Sequence, residues 1–380
     1  MPSSPIPIPT KTTKSFSIEE NIRPTRPSDL ERGPLAIFGT FIRHLQGTQK
    51  RSPPSPDKKR HVRLITIGAS HYSEKARWAL DLAEHDVASD VYYTEDAHPP
   101  ALASFISVPI TSGRSSSLPI TVEEENVVGK DDSEEVREKM VLMDSTDIIK
   151  HYCPYLYDPE HDRGNEIEKF EEYLDSMLGP AVRVFVYHHM LNKQYFPSLI
   201  KMLSAHTSLI ESLIFSLTLE RGIDRGMRKL MNVNEETAEL SESQIRDVFE
   251  KVSLRLTKSS GNNYLFQNRY GKENKRSTGF SAADLTFAAL SSPIVMPKEL
   301  KKIYNLSDNE LPGPILALQR ELRNTPAGKH AMQMYKRHRL VDYVIPKSVG
   351  RNHLSENVKT GLFGIATVCA ASALVTSSKL

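Results

Sequence analysis

Apolar residues along this chain show no period at first, then a strand period, then a helical one. Over residues 1–60 ten of the chain's 24 prolines crowd stretches such as "MPSSPIPIPT" and "RSPPSPDKKR". Such a segment buries too little surface to offset its chain entropy, so it reads as a disordered, Pro-rich basic arm. Within it, "PLAIFGTFIRHL" at 34–45 has the spacing of a short amphipathic helix, either transient or docking on a partner or membrane surface.

Order is expected to begin near Arg60. "VRLITIG" is a β-branched run ended by Gly68 and predicts a strand. "YSEKARWALDLAEHD" predicts a helix, with Ala76, Leu80 and Ala83 at three- and four-residue steps. "ASDVYYT", "LPITV" (118–122) and "MVLMD" (140–144) predict three further strands. "STDIIKHYCPYLY" predicts a helix with Ser145 as its N-cap. The acidic stretch "EEENVVGKDDSEEVREK", 123–139, has the charge density of a solvated loop or exposed helix. Together these elements describe a compact α+β layer over 61–158.

From about Asn165 the period is helical. Phe170, Leu174, Met177, Leu178, Ala181 and Phe185 form one stripe, which Pro180 is predicted to bend. "FPSLIKMLSAHTSLIESLIFSLTL" and "SESQIRDVFEKVSLRL" are amphipathic. "GFSAADLTFAALSSPIV" is apolar and opens with Ser281 and Asp284 at capping-box spacing. "PAGKHAMQMYKRHR" closes an all-helical region spanning 163–345. The capping box accounts for Asp284, which is assigned to folding rather than chemistry.

Composition removes some function classes. A net charge of +2 supplies no basic field, so no nucleic-acid partner is expected. The only cysteines, Cys153 and Cys369, form no C-x-x-C motif, which argues against a disulfide framework and a zinc ribbon. The arm lacks the long apolar core of a secretory signal, and its acidic residues do not suit a transit peptide.

Four separated pieces, in order, resemble the glutathione S-transferase superfamily. "SHYSEKAR" resembles its active-site turn, "SSSLP" the loop with a cis proline, "MDST" the acidic-Ser pair opening the third helix, and "FSAADLTFAAL" the core helix of its second domain. "LGPAVRVFVY" and "LRNTPAGKHAMQMYKRHR" further resemble a bacterial-type branch. The resemblance implies a thioredoxin-like domain with a mixed four-stranded sheet, then an all-α domain. It also implies conjugation of the thiolate of glutathione, as co-substrate, to a small-molecule electrophile, with no metal and a homodimer as the usual assembly. The alternative on the same fold is a non-catalytic adaptor or a tail-anchored organelle-membrane protein. The departures are His71 where a proline is usual, the long acidic stretch, and both tails.

On this resemblance Ser70 would donate to the glutathione thiolate, with Tyr72 and Ser73 as alternates. Ser70 precedes a helix start, where unpaired amides favour a thiolate, but an N-cap role alone also explains a serine there. Pro119 would be the cis residue, turning the Leu118 backbone toward the peptide. Ser145 would face the γ-glutamyl carboxylate, Asp144 the ammonium, and Arg114 the glycyl carboxylate. Arg183 and Tyr187, four residues apart, share a helix face. With His188, and with Asp175 nearby, they either line a second-substrate pocket or form a structural network at a domain interface.

The tail, 346–380, holds the apolar segment "GLFGIATVCAASALV" (361–375) and ends Ser378-Lys379-Leu380, a peroxisomal address. Fifteen residues is short for a span, although Lys347, Arg351 and Lys359 would flank a tail anchor on its cytosolic side. Import and anchoring compete, because a spanning segment would carry the tripeptide across the bilayer. Peroxisomal import is the expectation, with cytoplasmic or tail-anchored placement as alternatives. A fluorescent fusion of 346–380 checks it. Puncta lost on removing Ser378–Leu380 mark import, and retention in the membrane after carbonate extraction marks an anchor.

Overall fold

The computed structural model describes residues 59–339 except 101–102, 104–117, 129–133, 159–162, 206, 208, 220–223, 259–262, 267–278 and 305. Arg114, Cys369, the helix at 34–45, the apolar segment 361–375 and Ser378–Leu380 lie outside the described residues.

Four strands form one mixed sheet: β1 (Arg60–Thr66), β2 (Val91–Ala97), β3 (Ile120–Val128) and β4 (Glu134–Leu142), in the order β2-β1-β3-β4. β1 runs parallel to β2 and antiparallel to β3, and β3 pairs antiparallel with β4. Alternation along β1 sends Val62 and Leu64 into the main core, and Ile65 to a smaller cluster with Ile120 and Val122 on the other face. Helices α1 (His71–His85) and α2 (Ser145–Tyr152) pack together beside this sheet. This is the thioredoxin-like α+β arrangement expected from the sequence, and an all-helical unit follows it.

The helical unit comprises α3 (Arg163–Met190), α4 (Phe196–Leu203), α5 (Leu209–Thr218), α6 (Asp224–Leu230), α7 (Glu235–Lys258), α8 (Ala282–Val295), α9 (Lys298–Tyr304), α10 (Gly313–Arg323) and α11 (Pro326–His338). α8 is buried almost throughout and packs against α3, α11 and α1, so it joins the two units. Its start carries the expected capping box: Asp284 N donates to Ser281 Oγ at 3.4 Å, and Ser281 N to Asp284 Oδ2 at 3.0 Å. Asp284 does more than cap. Its Oδ1 accepts from Leu265 N at 2.8 Å and meets His330 Nε2 at 2.9 Å, tying α11 to the start of α8.

Twelve of the 15 residues of α1 are buried, so its charged side chains need internal partners. Lys75, with no exposed surface, sends its ammonium to Glu171, to Asp175 Oδ1 at 2.8 Å and to Thr146 Oγ1 at 2.7 Å. These carboxylates outweigh the burial penalty and raise its pKa, so it stays charged. On the other side, Glu74 accepts from Arg77 Nη1 at 2.6 Å and Arg339 Nε at 2.8 Å. Arg339 also reaches Asp81, which accepts from the Tyr93 hydroxyl at 2.5 Å. The last described residue of the helical unit is thus held against α1.

Two expectations change. The acidic stretch 123–139 is neither loop nor helix at its ends: β3 and β4 extend into it as a hairpin paired from Thr121↔Leu142 out to Val128↔Glu134. Main-chain bonding propagates outward from the buried Ile120–Val122 pairing whatever the side-chain charge, and one irregularity falls at Glu123/Glu124. The N-cap of α2 is Asp144, one residue before Ser145, with Oδ1 accepting from Thr146 N at 2.8 Å. Both residue types cap well, and the strand ends one residue too early for Ser145 to be the cap.

Replacing Lys75 with Met leaves Glu171 buried without its cation. The expected cost is about 3–5 kcal/mol, read from chemical denaturation. Adding Glu171→Gln recovers part of the loss, whereas additive losses would show that the two side chains do not act as a pair.

Candidate functional site

The strand register brings three separate segments to one end of the sheet. β1 ends at Thr66 with Ile65 opposite Ile120, and Thr121 lies opposite Leu142. Therefore Ile67–Ser70, Leu118–Pro119 and Met143–Ser145 all leave the sheet from the same edge. The Leu118–Pro119 bond is cis, as the resemblance implies, with Leu118 half-buried and Pro119 buried.

Ser70 caps α1: its Oγ accepts from Ser73 N at 3.3 Å, and its carbonyl accepts from Glu74 N at 2.8 Å. The turn before it closes through Ser70 N to Ile67 O at 3.0 Å. Accepting a bond leaves the hydroxyl proton free, so half-buried Ser70 can still donate. The two alternates are placed differently. Ser73 is fully buried and its Oγ accepts from Ile67 N at 3.3 Å. Tyr72 donates its hydroxyl to the Asp175 carbonyl on α3 at 3.2 Å, and burial raises its pKa. Of the three, Ser70 alone combines partial exposure with an uncommitted donor proton.

His71, the residue that departs from the family pattern, is the first residue of α1 and is buried. Its Nε2 lies 3.0 Å from the Gly179 carbonyl on α3. A carbonyl only accepts, so Nε2 carries the proton. Burial, then the Arg183 and Lys75 charges, push the imidazole down to about 3 against the Gly179 bond, so it is neutral at physiological pH. Next to Gly179 stands Pro180, which supplies no N–H within α3. His71 and Tyr72 therefore hold the backbone of α3 in the turn that precedes Pro180, through Gly179 and Asp175. Gly179 is required there, because a Cβ would come within 2.1 Å of the Tyr72 hydroxyl oxygen.

At α2, Asp144 spends Oδ1 on its own cap, and Ser145 is buried as the first helical residue. Asp175, Gly179, Arg183 and Tyr187 follow at four-residue steps along α3. The first two meet α1, Arg183 is exposed just beyond them, and Tyr187 is half-buried. His188 does not join this face: its Nε2 lies 3.5 Å from Glu235 on α7, and its carbonyl accepts from Arg228 on α6. Cys153 takes no part, with its thiol buried against the Ala79 carbonyl at 3.2 Å and pushed up to about 12. Sequence reasoning missed Lys75, Glu171 and Thr146 as a connected group. The only signal was a lysine in "SEKAR" placed one turn into the helix, and nothing local showed that this helix is buried on nearly every side.

Fold and site thus define a thioredoxin-like unit and a helical unit that meet at the start of α1. Among the described residues no group of three or more His, Cys, Asp or Glu side chains is arranged to hold a metal, and no helix is long and apolar enough to cross a membrane. No family model matches the sequence, and no curated protein does. Among solved structures the chain is similar to a glutathione S-transferase from Xanthobacter autotrophicus Py2 at 13% identity, covering 70% of this chain and 94% of that one, with a TM-score of 0.33. It is similar to Ure2p in complex with glutathione at 12% identity, covering 78% and 99%, with a TM-score of 0.37. A Tau class glutathione S-transferase from mango, Mangifera indica, gives 15% identity, coverage of 71% and 92%, and a TM-score of 0.30. Scores this low bear on nothing further, and the fold stands on the topology above.

The neutral His71 makes a pH prediction. Its folded pKa, about 3, lies below the ordinary 6.5, so between these values the unfolded chain binds the extra proton. Stability is then fully present above about 6.5 and falls on acidification toward 3. His338, pushed down to about 4 by burial, adds to the same limb. His71→Gln keeps a donor for Gly179 and should flatten that limb by up to about 1.4 kcal/mol per pH unit in denaturation curves. An unchanged slope would show that His71 is not held neutral.

Proposed function

We propose that this protein binds glutathione and transfers its thiolate to an electrophilic small molecule. The observation that supports this reading best is the convergence of the Ser70-capped start of α1, the cis Leu118–Pro119 segment and the Asp144-capped start of α2 at one sheet edge. A thiol needs to lose its proton before it attacks, and a helix N-terminus lowers that cost with oriented amides. Ser70 adds a hydroxyl donor to the sulfur, where a cysteine would instead form a mixed disulfide. The Leu118 amide and carbonyl would pair with the cysteinyl part of the tripeptide as an added strand does. The start of α2, with Ser145, suits the γ-glutamyl carboxylate, and the second oxygen of Asp144 its ammonium.

In the reaction the thiol proton leaves to solvent, a C–S bond forms, and the electrophile's leaving group departs or its double bond accepts the electron pair. Catalysis rests on positioning and on stabilising the thiolate. A second reading, a glutathione-binding module without transferase activity, is favoured by one observation: Tyr72 and Ser73 are committed to the framework of the turn.

The two readings separate experimentally. Transfer predicts glutathione binding by calorimetry and conjugation of an aromatic electrophile. Ser70→Ala should then lower kcat about 100-fold while glutathione affinity changes little. The lost cap should cost about 1 kcal/mol, which a Tm measurement checks independently. Binding without conjugation selects the module, and unchanged kcat in Ser70→Ala removes the serine from its role.

A further inference from the structure

The helix of the helical unit that contacts the start of α1 carries an exposed charge without a partner among the described residues. Along α3, Asp175 is held by Lys75 at 2.8 Å and Gly179 by His71 at 3.0 Å, so this face of α3 lies against the start of α1. The next residue on the four-residue stripe is Arg183, one turn past His71 and exposed. Its guanidinium makes no hydrogen bond or ion pair among the described residues. One turn further, half-buried Tyr187 likewise has no partner for its hydroxyl among the described residues. The carboxylates around α1 do not serve Arg183: Glu171 and Asp175 are taken by Lys75, and Glu74 and Asp81 by Arg339.

The Arg183 charge is nonetheless felt at the turn. After burial it is the next cause holding His71 neutral, and it partly opposes the burial that pushes Tyr187 up to about 12. Its charge therefore reaches both the start of α1 and Tyr187. A neutral His71 brings no second positive charge to the same spot. An unpaired planar guanidinium one helical turn from a phenol donor, on the stripe of α3 whose preceding residues meet the start of α1, offers a carboxylate two kinds of donor.

We propose that Arg183, with Tyr187, selects acceptors that carry a carboxylate, so that the electrophiles this protein prefers are anionic. The inference rests on the glutathione-transfer reading above. The acceptor's carboxylate is held by Arg183 while its electrophilic carbon faces the sulfur at Ser70. Arg183 is here a specificity-determining residue and takes no part in ionising the thiol.

The test uses the full chain with chlorodinitrobenzoate, chlorine para to the carboxylate, and its methyl ester. In both, the thiolate carbon–sulfur bond forms at the ring carbon as chloride leaves with its electron pair. Glutathione affinity is measured separately by calorimetry for wild type, Arg183→Gln and Arg183→Lys. In Arg183→Gln the ratio of kcat/KM for the acid to that for the ester should fall about tenfold, with glutathione affinity unchanged. Arg183→Lys should restore part of the ratio. Comparing ratios cancels the intrinsic difference in reactivity between acid and ester. An unchanged ratio overturns the proposal while leaving glutathione transfer standing. Weaker glutathione binding with both acceptors slowed equally also overturns it, since Arg183 would then hold a carboxylate of glutathione. No glutathione binding in any variant overturns the transfer reading and this inference with it.

Discussion

One buried ammonium organises the junction of the two units. Lys75 has no exposed surface and is bonded by Glu171 and Asp175 from α3 and by Thr146 from α2. Removing such a charge from water is costly, and only close, complete pairing offsets it. The pairing can be complete in one arrangement of the three helices, so the requirement acts as a geometric constraint. It sets the start of α1, and with it Ser70, relative to the start of α2 and the proline turn of α3. The Thr146 hydroxyl also donates to Glu171 at 2.7 Å, which closes the group.

A second set of contacts keeps α1 from pivoting about that point. Arg339 joins Glu74 and Asp81, and the Trp78 indole donates to the His338 carbonyl at 3.1 Å. At the other end His71 and Tyr72 hold the backbone of α3. The candidate site is therefore a property of both units. The sheet supplies three loops at one end, and the helical unit holds the start of α1 through Lys75, His71 and Tyr72.

Much of the framework was legible because it follows from local periods. The β-branched alternation of β1 and the three- and four-residue steps of α1 and α8 need no knowledge of their partners. Ser281 and Asp284 announced their own capping box. Pro119 was marked as cis by the resemblance of its loop, and the structure has it so. The reach of the β3–β4 hairpin was not legible, because side-chain charge says nothing about a main-chain ladder that extends from a buried pair. The cap of α2 slipped by one residue, since Asp144 and Ser145 are equally good caps and only the end of β4 decides between them. His71 had no explanation from its neighbours in sequence, because its partner, Gly179, is 108 residues away. The same holds for Lys75 and Glu171, whose meaning appears only when three helices meet.

In the proposed reaction the start of α1 at Ser70 holds glutathione's sulfur as a thiolate. The most direct measurement is the ultraviolet thiolate absorbance of the bound tripeptide, followed across pH as a difference spectrum. A titration midpoint well below that of free glutathione, returning toward the free value in Ser70→Ala, is the result the account predicts. A bound thiol that titrates as it does in free solution would contradict it.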